Sequence, residues 1–360
     1  MCEKEMELQD KSQISELSIR KKTKRWNLSA MSVLVLLLLL TVFVSLAIGR
    51  YRISLQQFIQ IVGVKIFGWR LSIPQTLNTV IFSVRVPRIF AAMLVGGALS
   101  ISGAAYQGLF RNPMVSPDIL GAAAGAGFGA AIAILFSFSV VGIQLSAFVF
   151  GLIAVAITYF LSAMISRGNH AVLVLVLTGM VVSTLFSSFI SMIKYVADPY
   201  SKLPAITFWL MGGLSSVGAK DNLVVLVPML LGAIPLMLLR WKLNVLSFGE
   251  EEAKSLGVDT SKLRLVVVVC STLLTAAAVS ISGMVGWIGL IIPHLARMIV
   301  GPNYKMLLPA SMLIGTTFLL LVDDVARSAF AMEIPLGILT ALIGAPFFIY
   351  LLIKGKKGWL

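Results

Sequence analysis

The chain holds few residues that could carry out chemistry. Its two histidines, His170 and His294, lie far apart, and neither stands next to a cysteine or a carboxylate cluster, so a metal site is not expected. The two cysteines, Cys2 and Cys270, cannot form a disulfide framework. The sequence lacks the G-x-x-x-x-G-K-S/T loop that binds ATP phosphates. We therefore predict that the chain is not an enzyme and has no catalytic residue, cofactor or bound metal.

One compact acidic segment stands out and reads SFGEEEAKSLGVD (247–259). Its three glutamates would open a short helix, where the helix dipole favours negative charge. Gly257 is placed to end that helix. A solvated surface helix is the alternative interpretation. Because long apolar segments flank it on both sides, we predict instead that a separate protein docks against this helix and moves both segments.

The elements around the acidic segment are predicted to be membrane spans. The chain is 58% hydrophobic and 12% charged, whereas about a quarter of a soluble domain is charged. About 20 apolar residues suffice to cross a bilayer. About ten spans are predicted, near 28–49, 86–110, 117–137, 144–165, 171–193, 223–240, 263–282, 287–300, 306–326 and 336–353. The chain is therefore expected to be an all-α, multi-pass protein of the cell membrane.

Basic residues predict the orientation of these spans. Lysine and arginine cluster in RKKTKR (20–25) and in KGKKGW (354–359), and such clusters favour the cytoplasmic side. Both termini are therefore expected in the cytoplasm. Alternation along the spans then places the connection 241–262 inside and the connection 327–335 outside.

Three regions follow from this topology. Residues 1–27 are predicted to be a cytoplasmic N-terminal tail, residues 28–354 a single membrane domain, and residues 355–360 a short cytoplasmic C-terminal tail. The net charge of +14 is carried by the tails and the short connections. That distribution sets membrane orientation, and we do not expect a nucleic-acid partner.

A short internal sequence repeat suggests that the chain has two related halves. The sequence SISG occurs at 100–103 and at 280–283, and a proline follows ten residues after each glycine, at Pro113 and Pro293. The predicted topology places the first copy on an inward helix and the second on an outward helix, as an inverted-topology repeat requires. Chance similarity between Ser/Gly-rich helices is the alternative.

Glycine and proline predict close packing and broken helices. Gly121, Gly125 and Gly129 would form one small face on which another membrane helix packs. Two outward stretches, 203–216 and 334–346, have proline as their second residue and contain glycine after an apolar turn. Broken helices in both halves would indicate a central pathway, and ordinary kinked helices are the alternative.

Five stretches carry a resemblance to a known family. They are RVPRIFAAMLVGGALSISGAAYQGLFRNPMVSPDILG (85–121), FWLMGGLSS (208–216), LNVLSFGEEEAKSLGVD (243–259), GWIGLIIPHLARMIVGPNYKMLLPAS (286–311) and EIPLGILTALIGAPFFIYLL (333–352). The chain resembles the permease subunits of binding-protein-dependent ABC importers for iron–siderophore complexes, haem and cobalamin, of the FecCD type. The resemblance covers roughly residues 50–355, so the membrane domain is expected to be an importer permease.

The resemblance implies partners and contact residues. Two copies, as a homodimer or a heterodimer of paralogues, would enclose one path in the lipid bilayer, with two ATPase subunits below and an extracytoplasmic substrate-binding protein above. The residues implied in ATPase coupling are Glu251, Glu252, Ala253, Leu256 and Gly257 of the acidic segment, with Asn112 and Pro113 of the turn RNPMVSP. Within that segment, Ala253 and Leu256 would face the ATPase, and Glu250 would lie on the exposed side.

The resemblance also gives a role to outward basic residues. Arg85, Arg88 and Arg327 match positions at which related permeases dock the binding protein, as exposed charges at the outer rim. Interfacial anchoring by long basic side chains is the alternative.

The resemblance leaves the cargo open. A ferric siderophore or similar metal chelate is favoured because it is the commonest cargo of the family, and haem and cobalamin are alternatives. An ion-coupled secondary transporter is a remote alternative that would need ionisable residues in mid-membrane. The adjacent Asp323 and Asp324, near the outer end of a span, are the one candidate for such a site.

Overall fold

The computed structural model describes residues 26–49, 74–166 and 171–355, together with single positions between 50 and 73. The predicted N-terminal tail and the last five residues lie almost wholly outside this part of the chain. The described residues form helices throughout. These are α1 (Trp26–Ala47), α2 (Gln75–Leu109), α3 (Ala122–Leu135), α4 (Val140–Ile165), α5 (Ala171–Val196), α6 (Lys202–Met211), α7 (Ala219–Leu246), α8 (Glu250–Ser255), α9 (Thr260–Ser282), α10 (Ile288–Val300), α11 (Tyr304–Ser328) and α12 (Leu336–Gly355).

Each predicted span coincides with one of these helices. In the described residues, 8 helices are long and apolar enough to cross a membrane, and α3 and α10 are shorter apolar helices of 14 and 13 residues. The all-helical, multi-pass prediction is therefore confirmed. The second span is longer than predicted, because α2 is 35 residues long and begins at Gln75 with a π-helical turn at Thr79–Arg85.

Helices α2 and α9 form the centre of the molecule, and most of each is buried. Small residues let the neighbouring backbones approach α2 closely. A Cβ atom at Gly103 would lie 1.9 Å from the carbonyl oxygen of Gly289 in α10, and one at Gly96 would lie 2.3 Å from that of Gly315 in α11. Close backbone approach of this kind is how membrane helices associate without a hydrophobic driving force.

The contacts between α2 and α9 show that the two helices run antiparallel. Ser102 of α2 lies 3.0 Å from the Thr275 hydroxyl of α9, and Tyr106, one turn later, lies 3.4 Å from the carbonyl oxygen of Val268. Residue numbers therefore rise along one helix as they fall along the other. This packing agrees with the inverted repeat predicted for the two SISG copies.

Two interpretations of proline and glycine need correction. The echo does not extend to the prolines, because Pro113 lies in a turn whereas Pro293 lies inside α10. The stretch 203–216 is interrupted as predicted, since α6 ends within it. The stretch 334–346 is not broken: most of it belongs to the continuous helix α12, which accommodates Pro346 in its interior.

The three glycines predicted for helix packing differ from one another. A Cβ atom at Gly125 would lie 2.5 Å from Cβ of Ala154, and one at Gly129 would lie 2.4 Å from the carbonyl oxygen of Ser146, so both face α4 at close range. Gly121 lies before α3 with a φ of 91°. Its role is the left-handed backbone that starts the helix, which corrects the prediction that it shares the packing face.

Candidate functional site

The acidic segment folds as the predicted helix. α8 (Glu250–Ser255) has its three glutamates in the first turn. It ends in a Schellman motif: the N–H of Gly257 donates to the carbonyl of Lys254, and the N–H of Val258 donates to the carbonyl of Ala253, both at 2.9 Å. Gly257 has a φ of 78°, and a Cβ atom there would meet nothing within 4 Å. Glycine is needed at this position for its backbone conformation and not for space.

One face of α8 packs against its own chain. Ala253 is fully buried in the cluster that contains Leu246 and Val258, whereas Leu256 is 66% exposed. The expectation that Ala253 faces the ATPase is therefore wrong, because its methyl group is in contact with the rest of the permease. Leu256 is exposed as predicted.

Glu250 also differs from the expectation of a freely exposed residue. Its carboxylate accepts a hydrogen bond from the guanidinium of Arg264, in the first turns of α9. The Arg264 side chain is 14% exposed and that of Glu250 is 36% exposed. The pair therefore ties the start of α8 to the helix that follows it, while Glu251 and Glu252 remain exposed.

Exposed apolar side chains lie beside these charges on the predicted cytoplasmic face. Phe248, directly before α8, is 72% exposed, and Met114 in the RNPMVSP turn is 53% exposed. In that turn the Asn112 side chain accepts a hydrogen bond from the N–H of Met114, and Pro113 is half-buried. Exposed aromatic and methionine side chains are typical of protein contact surfaces. Sequence reasoning missed Phe248, whose only signal was an aromatic residue in a short polar connection.

A second set of charges lies at the predicted outer ends of the helices. We call it the outer charge cluster, and its members are Arg85, Arg88, Arg327, Asp323, Asp324 and Glu333. The three arginines are 3%, 7% and 6% exposed. The expectation of exposed rim charges is therefore wrong, because their guanidinium groups are buried among partners from the same chain.

Arg88 makes the most extensive ion pairs of the outer charge cluster. Its Nε and Nη2 atoms donate to the carboxylate of Asp323 at 2.9–3.1 Å, and its Nη1 atom donates to Glu333 at 2.9 Å. Two-pronged pairing of arginine with carboxylates gives fixed geometry as well as strength. Arg88 therefore joins α2, α11 and the segment before α12.

The other two arginines hold the end of α1. Arg327 donates to the backbone carbonyl of Ser45 at 2.6 Å, and the Ser45 hydroxyl donates to Asp324 at 2.7 Å. Arg85 donates to the carbonyls of Leu46 and Ala47, which belong to the last turn of α1. The last carbonyls of a helix lack hydrogen-bond donors within the helix. Arg85 and Arg327 supply these donors at the end of α1.

The outer charge cluster is balanced, with three arginines and three carboxylates. Ionisable groups within membrane proteins pair with one another because an unpaired charge is costly there. Asp323 and Asp324 are both paired with arginines. The one feature that suggested an ion-coupled transporter is therefore accounted for by internal ion pairs.

Two cavities adjoin the outer charge cluster. One, of about 190 Å³, is lined by all three arginines and Glu333. The other, of about 310 Å³, is lined by residues of α6, by the connection after it, and by the start of α12. Arg88 and Glu333 line both cavities, so their ion pair lies at the boundary between the two.

Backbone hydrogen bonds join three segments at the larger cavity. The N–H of Leu336 donates to the carbonyl of Gly212 at 2.9 Å, and the N–H of Gly213 donates to the carbonyl of Ser282 at 2.8 Å. A Cβ atom at Gly283 would lie 2.3 Å from the carbonyl oxygen of Trp209. The end of α6, the end of α9 and the start of α12 therefore form one tightly packed junction.

Helix α5 exposes a row of hydroxyl groups. Thr184, Ser188 and Ser191 are exposed, and each donates to the carbonyl four residues earlier, at 2.9–3.0 Å. Their spacing places them along one face of the helix. Small hydroxyl residues in membrane helices are typical of helix contacts and polar cavities.

Comparison with known proteins assigns the chain to a family. Residues 37–354 match the FecCD transport family. The chain belongs to the FecCD transport family. It is 47% identical to the "Molybdate import system permease protein MolB" of Haemophilus influenzae over 90% of this chain and 95% of that protein. It is 43% identical to a "Probable iron chelatin transport system permease protein" of Helicobacter pylori, over 78% of this chain and 84% of that protein.

A solved structure gives the same result. The structure described as "An inward-facing conformation of a putative metal-chelate type ABC transporter" matches with a TM-score of 0.81 and 45% identity, over 90% of this chain and 98% of that chain. This FecCD protein is therefore a multi-pass permease subunit of an ABC importer for metal chelates and not itself an enzyme, with no cofactor of its own. An ATPase and a binding protein are its partners, and the predicted family is confirmed.

Proposed function

We propose that this permease imports a ferric chelate, driven by ATP hydrolysis on its separate ATPase subunit. The 43% identity to an iron chelatin permease supports this cargo. Molybdate is the second candidate, favoured by the 47% identity to the molybdate permease over nearly the whole chain. Haem and cobalamin remain alternatives within the same family.

Uptake into reconstituted vesicles tests the cargo. The permease, its ATPase and its binding protein are assembled, and labelled ferric siderophore, molybdate, haem and cobalamin are offered in parallel. We expect ATP-dependent accumulation of the ferric siderophore. Accumulation of molybdate alone would assign the second candidate, and vesicles without ATP serve as the control. The isolated permease should hydrolyse no ATP, and measurable turnover by it would contradict the division of labour.

We also infer that two copies of this chain enclose the path, and that α5 faces it. Support comes from the exposed hydroxyl row at Thr184, Ser188 and Ser191. Only 33% of the most apolar 18-residue stretch of α5 is buried within the chain. A second copy would place this row beside a polar path instead of lipid.

Cysteine labelling tests the position of α5. In a variant without Cys2, Ser188→Cys should react with a water-soluble thiol reagent, since the remaining Cys270 is buried. Leu36→Cys, on the largely exposed helix α1, is the matched control and should react only with a lipid-soluble reagent. Identical labelling of the two variants would place α5 against lipid and remove the support for a shared path.

At the cytoplasmic face we propose that the exposed side of α8 and the RNPMVSP turn contact the ATPase. Glu251, Glu252 and Leu256 remain candidates from the sequence, and Phe248 joins them on the basis of its exposure. Asn112 and Pro113 remain candidates for a second contact. Gly257 acts through the shape of the helix end.

A further inference from the structure

The predicted cytoplasmic ends of α7 and α11 carry three basic residues without an acidic partner. Arg240 and Lys242 lie in the last two turns of α7, and Lys305 lies in the first turn of α11. Among the residues that the structure describes, none of the three takes part in an ion pair. The positive charge at these helix ends is therefore not balanced within the described part of the chain.

Hydrogen bonds hold the two helix ends together. Nη1 of Arg240 donates to the backbone carbonyl of Lys305 at 3.1 Å. The Asn244 side chain donates to the side chain of Asn303 at 3.0 Å and accepts from the N–H of Tyr304 at 2.8 Å. Arg240 and Lys305 are therefore neighbours at a fixed contact between α7 and α11.

One face of α7 is apolar up to the level of these charges. Leu231, Ile234, Leu238 and Trp241 are all exposed, and Leu238 is 71% exposed. Their spacing of three or four residues places them on one side of the helix. Because α7 is long and apolar enough to cross a membrane, this side is suited to contact lipid tails. The apolar face ends at Trp241, a residue type that is enriched where a membrane meets water.

Aromatic and basic side chains occur together at this end of the molecule. Nζ of Lys242 lies 5.7 Å from the centroid of the Trp241 ring, within the range of a cation–π contact. Trp26, the exposed first residue of α1, donates its indole N–H to the carbonyl of Ile299 at 3.1 Å. Ile299 lies in the last turn of α10, and the connection 301–303 leads from there to α11. These contacts are typical of the level at which lipid headgroups lie.

We propose that Arg240, Trp241, Lys242 and Lys305 bind the headgroup of an acidic phospholipid. We call these four residues the inner basic patch. Charge complementarity favours this ligand, because unpaired cations are available for the headgroup phosphate and the apolar face of α7 is available for the acyl chains. Basic residues between spanning helices on the cytoplasmic side are a known mode of binding acidic headgroups.

The surroundings of the inner basic patch favour a lipid over a second contact with the ATPase. Its cations directly adjoin the apolar face of a spanning helix. By contrast, the exposed apolar groups Phe248 and Met114 lie in the connections beyond the spans. Lipid tails can reach the first surface, whereas the second is accessible to a protein from the cytoplasm.

A lipid at this position would also affect α8. α7 ends at Leu246 and α8 begins at Glu250, so a lipid that joins the ends of α7 and α11 steadies the base from which α8 extends. This effect rests on the contact between α8 and the ATPase proposed above. Acidic lipid is therefore expected to increase the amount of substrate imported per ATP hydrolysed.

Lipid retention tests the inner basic patch. The full-length permease in detergent is incubated with labelled phosphatidylglycerol or labelled phosphatidylcholine. Wild type should prefer phosphatidylglycerol, and Arg240→Gln/Lys305→Gln should lose about tenfold of this preference, since each basic residue near an acidic lipid contributes severalfold. Lys220→Gln/Lys262→Gln is the matched control. It removes two exposed lysines elsewhere on the molecule and should keep the preference.

Three results would overturn the lipid site. The first is an equal preference in Arg240→Gln/Lys305→Gln and wild type. The second is an unchanged preference with loss of the ATPase from the purified complex, which would assign the inner basic patch to a protein contact. The third is displacement of phosphatidylglycerol by soluble glycerol phosphate at the same concentration, which would show that a free phosphate suffices.

A second experiment tests the effect on α8. The permease, its ATPase and its binding protein are placed in phosphatidylcholine vesicles with or without phosphatidylglycerol, and substrate imported per ATP hydrolysed is measured. This ratio should rise several-fold with phosphatidylglycerol in wild type and in Lys220→Gln/Lys262→Gln, and should stay low in Arg240→Gln/Lys305→Gln. An equal rise in all three would overturn the effect on α8. Absence of import by wild type in every vesicle would mean that the importer function itself fails, and lipid retention would still decide the site.

Discussion

The helix α8 and the outer charge cluster are both charged patches in a strongly apolar chain, yet they differ in almost every physical respect. In α8, Glu251 and Glu252 point into solvent beside exposed apolar groups. In the outer charge cluster, Arg88 and Asp323 are buried and paired across 235 residues of sequence. The sequence predicted a docking role for both patches, and only in α8 are the charges exposed.

The difference in side-chain burial explains the difference between the two patches. α8 lies between spans, where water solvates its glutamates and a partner protein can reach them. The outer charge cluster lies within the packed ends of the helices, where a charge must find an opposite charge in the same molecule.

The largest expected effect comes from disrupting the buried ion pairs of the outer charge cluster. Arg88→Ala leaves Asp323 buried without its main partner. Removing one member of a buried ion pair costs about 3–5 kcal/mol. We expect a large loss of folded protein, measured as monodisperse yield in detergent and as a lowered unfolding temperature.

A double-mutant cycle provides the control for Arg88→Ala. The variant Arg88→Ala/Asp323→Ala should be less destabilised than the sum of the two single variants, because it leaves no charge of this pair uncompensated. Strict additivity of the two changes would show that the ion pair contributes little, and the outer charge cluster would then resemble α8 after all.

A smaller effect is expected from Ala253→Asp, on the predicted cytoplasmic side. Ala253 is fully buried, so the new carboxyl group would enter the packed contact between α8 and the end of α7. Burial of a polar group without a partner costs about 1–3 kcal/mol by mutational measurements. We expect α8 to detach and the ATPase to be lost from the purified complex.

Ala253→Ser is the milder companion of that variant and should retain the ATPase, since its added hydroxyl is small. Proteolysis of the 243–262 connection measures detachment of α8 directly. Equal resistance of Ala253→Asp and wild type would contradict the buried contact.

Much of this fold could be predicted from hydrophobicity alone. Long apolar runs predicted the 8 helices that are long enough to cross a membrane, because a spanning helix needs about 20 apolar residues. The shorter helices α3 and α10 were also located by their apolar runs. Gly257 was predicted to end α8 because a helix end often needs a left-handed residue. Both rules act over a few neighbouring residues, so a single sequence is sufficient to apply them.

The pairings could not be predicted in the same way. Arg88 meets Asp323 and Glu333 only because α2, α11 and the connection before α12 converge in space. The sequence showed an arginine at a span end, which is compatible with a rim charge, a lipid anchor or a buried pair. Phe248 was missed for a different reason, because a single exposed aromatic residue forms no periodic pattern in the sequence.

An intermediate effect is expected from Gly257→Leu. The φ of 78° at this position costs a residue with a side chain about 1–2 kcal/mol, while the empty space around it adds no steric clash. The change should therefore distort the end of α8 without unfolding the spans. We expect the ATPase to remain bound while substrate uptake falls well below that of wild type.

Gly257→Asn is the matched variant, because asparagine tolerates the left-handed conformation better than leucine. It should retain most of the uptake. The measurement is substrate imported per ATP hydrolysed, with co-purification of the ATPase as the control. Normal coupling in Gly257→Leu would show that α8 is a solvated helix with no mechanical role.

The smallest effect is expected at Glu250. This residue forms an ion pair, as the members of the outer charge cluster do, but it lies at the predicted cytoplasmic face. Its Arg264 partner is largely buried and Glu250 itself is not, so we expect the pair to contribute no more than about 1 kcal/mol to stability. We expect Glu250→Gln to fold normally and to lose some coupling between ATP hydrolysis and uptake, because α8 is then less firmly held to α9. The exchanged pair Glu250→Arg/Arg264→Glu should recover part of that loss. Lys262→Gln, an exposed change on the same turn of α9, should leave the coupling between ATP hydrolysis and uptake unchanged. If Glu250→Gln couples as well as wild type, burial of Ala253 alone positions α8, and the cytoplasmic patch needs no internal ion pair.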